Sequence, residues 1–138
     1  EMTEKKHRIE DALEAVRAAQ MEGIVPGGGV ALMLATNELD VEVDNDDQNA
    51  GVQIICAAVE EPLRQMAINA GESPDIISQL VRESSQNGNY GYNFVTGEIC
   101  DMMEAGVIDP VRVTKTSLLN AASAAGTLIT TNCAIIQK

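Results

Sequence analysis

Apolar side chains recur at helical spacing through the first 22 residues, and charged side chains fill the positions between them. The apolar set is Ile9, Ala12, Leu13, Val16 and Ala19. This spacing predicts a long amphipathic helix over residues 3–22 with one narrow apolar stripe. Gly23 predicts its end.

A second helix is predicted after the sequence PGGG. Residues 30–39 are apolar on almost all sides, which favours a buried helix. The acidic stretch ELDVEVDNDDQ that follows is typical of an exposed connection. Three consecutive glycines before an apolar run are unusual, because glycine is a poor residue for starting a helix.

Capping residues mark the next helices. Asn45 with Gln48 three residues later resembles a capping box, and the helical pattern that follows contains Pro62, which predicts a break near Glu61 and an end at Gly71. The sequence SPD predicts a further helix over residues 74–83, with serine as N-cap and proline in the first turn.

The last third of the chain predicts shorter elements. GEICDMMEAG is interpreted as a short helix closed by Gly106, and Asp109 with Pro110 predicts the start of a longer helix that runs to about residue 128. The final ITTNCAII is rich in β-branched residues and is typical of a strand. The chain therefore belongs to the mainly α class, with six helical segments and few short strands.

Composition narrows the possible partners. A chain of 138 residues is about one domain, and its core must come mostly from Ala, Val, Ile, Leu and Met. Lys and Arg number 9 against 21 Asp and Glu, a net charge of −12 that repels nucleic acid and anionic membrane surfaces. Cys56, Cys100 and Cys133 are interpreted as buried thiols of a reducing compartment. No secretory signal and no apolar run of about 18 residues is recognisable.

The glycine run allows two interpretations. Without Cβ atoms, Gly27 and its two neighbours could let the backbone approach a nucleotide, and the N-terminus of the helix that follows favours an anion. The simpler alternative is a tight turn between helices, and the glycines alone favour it, since neither standard phosphate-binding motif is present.

The polar candidates also have simple structural explanations. Asp11 is one of several acids on the polar side of the first helix, Asp109 is placed to cap the last helix, and Asn93 could cap or close a turn. His7 has no Cys or His at metal-ligand spacing, so no metal role is assigned to it. It also has no partner for classical nucleophilic catalysis.

Five segments together resemble one family. The segments EMTEKKHRIEDALEAVRAA, GIVPGGGVAL, EEPLRQMAINAGE, GNYGYN and GVIDPVRVTKTSLLNAASAAGTLITT look like the C-terminal part of a group I chaperonin subunit of the GroEL type. The resemblance covers the whole chain, and GNYGYN resembles the bacterial and organellar branch. It implies that residues 1–22 are the last intermediate-domain helix and residues 23–138 the C-terminal part of the ATP-binding equatorial domain, a helical bundle with short strands near residues 90–95 and 131–137.

The resemblance also implies a function. The family consists of ATPases that form seven-membered rings of identical subunits and enclose unfolded polypeptide under a co-chaperonin lid, in the bacterial cytoplasm or an organellar matrix. ATP and Mg²⁺ are the expected ligands of the complete subunit. The Mg²⁺-binding residue, the phosphate loop and the apical domain are expected in parts of the subunit outside this chain, which starts at Glu1 without an initiator Met in the manner of a fragment.

Site residues follow by position from the same resemblance. Asp11 matches the acid that activates the water attacking the γ-phosphate, Gly27 and Gly28 match the glycines against the nucleotide, and Asp109 matches the acid facing the ribose hydroxyls. The residues that match the adenine segment are Asn93, Phe94 and Val95.

The chain departs from the family at one of these places and at one position outside the site. Phe94-Val95 replaces two small residues and is expected to add bulk beside the base, and Asn132 replaces a usual Glu. Two alternatives remain open: a divergent chaperonin paralogue with weakened ATPase, and a non-enzymatic acidic helical module that acts through protein contacts.

Overall fold

The protein is mostly helical, as the sequence predicts. The computed structural model describes residues 1–37, 39–85 and 88–135. These residues form six helices, which are α1 (Met2–Glu22), α2 (Val30–Asn37), α3 (Asp46–Ala58), α4 (Glu61–Ala70), α5 (Pro74–Ser85) and α6 (Val111–Ile129). They also form four short strands, which are β1 (Ile24–Pro26), β2 (Tyr90–Asn93), β3 (Glu98–Asp101) and β4 (Ile108–Pro110).

Local chemistry places the helix ends where the sequence predicts them. The Gln48 backbone N–H donates to Asn45 Oδ1 at 2.9 Å, which caps α3. The break between α3 and α4 falls at residues 59–60, with Pro62 in the first turn of α4. Gly71 ends α4 in the left-handed conformation, at φ 81° and ψ 14°.

Residues 97–106 do not form the predicted helix. Residues 98–101 are β3, which pairs antiparallel with β2, so that Ile99 lies opposite Tyr92 and Cys100 opposite Gly91. The Asp101 Oδ1 atom then accepts hydrogen bonds from the backbone N–H groups of Met103 and Glu104, at 2.8 and 3.1 Å. This side-chain bond turns the chain directly after β3, and no helix starts there.

The strand predicted over residues 131–137 is also absent from its described part, residues 131–135; residues 136–137 lie outside the described residues. The Thr130 and Thr131 hydroxyls donate instead to carbonyls in the last turn of α6. Cys133 is exposed, so its prediction as a buried thiol is wrong, while Cys56 and Cys100 are partly buried.

The core lies between α2, α4, α5 and the β2–β3 hairpin. Its buried residues are Val30, Met33, Leu63, Ala67, Ile77, Val81, Tyr92 and Met102. Among the described residues, α1, α3 and α6 contribute no buried side chain. The strand β1 pairs with β4, and α1 contacts α6 and β4. The Glu22 carboxylate at the end of α1 lies 3.9 Å from Arg112 Nε and 4.0 Å from Lys115 Nζ of α6.

Candidate functional site

The three glycines form a turn between β1 and α2. A side chain at any of the three positions would press against neighbouring atoms. Gly28 and Gly29 have φ of 67° and 79°, a region that L side chains rarely adopt. Gly27 donates its N–H to the Val107 carbonyl at 2.9 Å, and a Cβ at Gly27 would lie 3.0 Å from that oxygen. The turn is therefore tight, as the simpler interpretation has it, and its backbone also lies directly against its neighbours.

Asp109 lies beside this turn and does not cap α6. It is a strand residue of β4, opposite Val25 of β1. Its Oδ2 atom would be 3.3 Å from a Cβ at Gly27. The N-cap of α6 is Pro110, without a side-chain hydrogen bond. The predicted cap is wrong because pairing with β1 ends the extended segment one residue later and directs the Asp109 carboxylate towards the glycines.

The end of β2 approaches the turn from another side. A Cβ at Gly28 would lie 2.9 Å from Met102 Cε and 3.9 Å from the Tyr92 carbonyl, the residue before Asn93. Asn93 closes the β2–β3 turn: its Oδ1 accepts from the Val95 N–H at 2.9 Å, and its carbonyl accepts from the Gly97 N–H at 2.8 Å. This fixes the Asn93 amide and leaves its Nδ2 atom as a donor.

Phe94 and Val95 have different environments. The Phe94 ring packs edge-on against Tyr92, with ring centroids 4.9 Å apart and an interplanar angle of 72°, and it contacts the core. Val95 is 94% exposed. The aromatic bulk of the pair is thus directed partly into the core, and only the valine is fully presented to solvent.

Asp11 is apart from this group. It is exposed on α1, about 16 Å along the helix axis from the C-terminal end at Glu22, at 1.5 Å per residue. Among the described residues it makes no hydrogen bond or ion pair. The structure therefore brings Gly27, Gly28 and Asp109 together near the end of β2, and it does not bring Asp11 to them.

Two features of the site were not expected from the sequence. Met102, which is fully buried, and the Val107 carbonyl contact the glycine turn. Both lie in or directly after residues 97–106, for which the sequence predicts a helix. A prediction of the β2–β3 hairpin would have been needed to place them beside the glycine turn. Within residues 1–37, 39–85 and 88–135, no group of three or more His, Cys, Asp or Glu side chains could hold a metal ion. None of the helices in these ranges has the length and hydropathy needed to cross a membrane.

Comparison with known proteins decides the family. Residues 1–138 match the TCP-1/cpn60 chaperonin family. The chain belongs to this family. A crystal structure of a group III chaperonin in the open state matches the fold, with a TM-score of 0.75 and 29% sequence identity over 86% of this chain. The match covers 25% of that chaperonin chain, so this chain spans about a quarter of its length.

Membership of the chaperonin family accounts for the fold. The predicted chaperonin-like helical bundle is confirmed, and a chaperonin subunit fragment is favoured over an unrelated acidic helical module. The narrower assignment to group I stays a prediction from GNYGYN and its neighbouring segments. The proposed domain boundary at residues 22–23 also stays a prediction.

Proposed function

We propose that this chain supplies part of the nucleotide site of an ATP-driven group I chaperonin. The observation that carries the proposal is the convergence of the glycine turn and Asp109, whose Oδ2 would lie 3.3 Å from a Cβ at Gly27. A carboxylate beside glycine main chain that no side chain covers suits a ligand that combines hydroxyl groups with an extended polar body. Chaperonin family membership supports the same conclusion.

Each residue has a role that its surroundings permit. Gly28 lets the backbone approach the nucleotide, and Asp109, which has no capping bond to α6, can accept hydrogen bonds from both ribose hydroxyls. Asn93 can donate from Nδ2 to an acceptor on the base, because its Oδ1 is already bonded to the Val95 N–H. Val95 offers an exposed apolar surface beside it.

The residues that would bind Mg²⁺ at this site are expected outside this chain. The described residues hold no suitable ligand cluster, and the phosphate-binding loop with its acid is expected elsewhere in the subunit. A bound Mg²⁺ would neutralise phosphate charge. The present chain contributes the nucleoside side of the site, and isolated it is expected not to hydrolyse ATP measurably.

Asp11 is proposed to orient and activate the attacking water after a movement of α1. The helix ends at Gly23, with φ 87°. Apart from its chain neighbours, no atom of the described residues lies within 4 Å of the position of a Cβ at Gly23, so this junction has room to change its backbone angles. Bringing the acid in only when α1 closes would couple hydrolysis to conformation. The complete subunit would use that cycle to refold polypeptides in a seven-membered ring with a lid, in the cytoplasm or an organellar matrix.

The decisive experiment separates binding from hydrolysis in the full polypeptide that contains this chain. Asp11→Ala is expected to lower the ATP turnover rate by about 10²-fold or more, because it removes the water-positioning carboxylate, and to change ATP affinity less than about twofold. Glu10→Ala is the matched control, since it removes a neighbouring exposed carboxylate from the same helix. Equal turnover in wild type and Asp11→Ala would contradict the proposal.

Asp109→Asn tests the nucleoside side. Loss of the charged acceptor is expected to weaken ATP binding by about tenfold or more, the equivalent of one charge-assisted hydrogen bond. Asp40→Asn, an exposed acid of the connection after α2, is the control. Wild-type protein that binds ATP only weakly, without further loss in Asp109→Asn, would favour the divergent paralogue.

A further inference from the structure

Met102 lies where the three segments of the candidate site meet. It is fully buried. Its N–H donates to the Asn89 carbonyl at 3.0 Å, just before β2, and its carbonyl accepts from the Val107 N–H at 2.8 Å, just before β4. The Met102 backbone therefore connects the β2–β3 hairpin to the segment that carries Asp109.

The Met102 side chain extends this connection to the glycine turn. Its Cγ and Sδ atoms would lie 2.9 and 3.2 Å from a Cβ at Gly91 in β2. Its terminal Cε would lie 2.9 Å from a Cβ at Gly28. Apart from the chain neighbours of Gly28, the other atom of the described residues within 4 Å of that position is the Tyr92 carbonyl oxygen, at 3.9 Å. The end of the thioether is thus the closest support of the glycine turn at Gly28.

We propose that Met102 is a positioning residue that holds the Gly28 backbone in the position from which it contacts the nucleotide. This inference rests on the proposed nucleotide site. Gly28 and Gly29 have no side chains of their own to anchor them, and they adopt backbone angles that chiefly glycine can adopt. The position of the turn must therefore be fixed by side chains of other residues that pack against it. A long unbranched thioether reaches from Gly91 to Gly28. A shorter side chain would leave a gap into which the turn can relax.

Met102→Leu in the full polypeptide tests the proposal. Leucine keeps the side chain apolar and close in volume, a substitution that cores tolerate well, but it lacks the terminal methyl that supports Gly28. Met33→Leu is the matched control, because Met33 is a buried methionine of the same core cluster and its side chain does not lie within 4 Å of the Cβ position of Gly28. ATP affinity is measured by titration calorimetry, and the urea midpoint is measured for each variant.

The two variants are expected to shift the urea midpoint by similar amounts, since both change one buried methionine. Only Met102→Leu is expected to raise the Kd for ATP, by about tenfold, and only Met102→Leu is expected to speed exchange of the Gly27 N–H that bonds to Val107. Wild type that binds ATP, with both variants equal in Kd and exchange, overturns the role of Met102 alone. Wild type that does not bind ATP overturns the nucleotide site and, with it, this role.

Discussion

Gly29→Ala is the sharpest test of how the glycine turn is fixed. At φ 79° an alanine pays about 1–2 kcal/mol for the left-handed conformation. Its Cβ would lie 3.0 Å from Leu63 Cβ and 3.3 Å from Leu63 Cα and N, so relief requires movement of α4, and overpacking of this kind costs about 1–3 kcal/mol. The free energy of unfolding should therefore fall by about 2–5 kcal/mol, as measured by urea unfolding followed by circular dichroism.

Two other glycines separate the contributions. Gly71 has φ 81°, and within the described part of the chain no atom other than those of its chain neighbours lies within 4 Å of the Cβ position, so Gly71→Ala should cost only the conformational part, about 1–2 kcal/mol. Gly51 lies within α3 in open space, and Gly51→Ala should stabilise the protein by about 0.5–1 kcal/mol. The excess loss in Gly29→Ala over Gly71→Ala measures the contact with Leu63.

Equal losses in Gly29→Ala and Gly71→Ala would refute the packing argument. A double-mutant cycle with Leu63→Gly gives an independent check. Leu63→Gly removes the Cβ atom that lies nearest the new methyl, so the double variant should lose less stability than the sum of the two single variants. Additive losses would show that the turn does not press on α4.

Three further predictions concern stability. Ser78 in α5 is buried and its Oγ has no hydrogen-bond partner among the described residues, so Ser78→Ala should raise the free energy of unfolding by about 1 kcal/mol in urea titrations; a loss would indicate an unrecognised partner. Asn45→Ala removes the cap of α3 and should lower it by about 1 kcal/mol, whereas Asn45→Asp should retain most of it. The hydrogen bond to Asp75 raises the pKa of Arg64 in the folded state. A base whose pKa is raised on folding stabilises the folded state below its unfolded pKa, and this stabilisation is lost only as the pH rises through the folded pKa, in strongly alkaline solution. Arg64→Gln should therefore lower unfolding midpoints equally at pH 7 and pH 9.

Local signals predicted the helices well. Asn45 with Gln48, Pro62 and Gly71 each act on backbone groups within a few residues, and the structure places helix ends at all of them. These helix ends can be predicted from the sequence because capping and proline geometry depend on neighbouring residues alone. The core of aliphatic residues and methionine could likewise be expected from composition.

Strand pairing could not be predicted from local sequence in the same way. Residues 98–101 become a strand because β2 lies opposite, and residues 24–26 become a strand because residues 108–110 pair with them from far along the chain. The sequence of Asp109 and Pro110 is compatible with a helix start, and only that distant pairing makes Asp109 extended. Tertiary context overrode local propensity at both places.

The candidate site shows the same division. From the residues alone the glycines supported a turn, and the remaining site residues came from the resemblance to chaperonins. The proximity of Gly27 to Asp109 depends on the β1–β4 pairing, and the buried position of Met102 depends on the hairpin. Asp11 stays a prediction, because its role requires a movement of α1 that a single conformation does not contain.

The pairing of β1 with β4 also has a consequence for how the chain is threaded. It closes a loop of roughly 80 residues, an entropic penalty of about 4 kcal/mol that the ladder and the contacts around it must offset. The exposed segment of residues 39–44 lies inside this loop and has no regular structure. A nick there would leave two pieces that are still clasped by β1 and β4, so this segment is a natural place to split the chain for complementation or to open it for circular permutation.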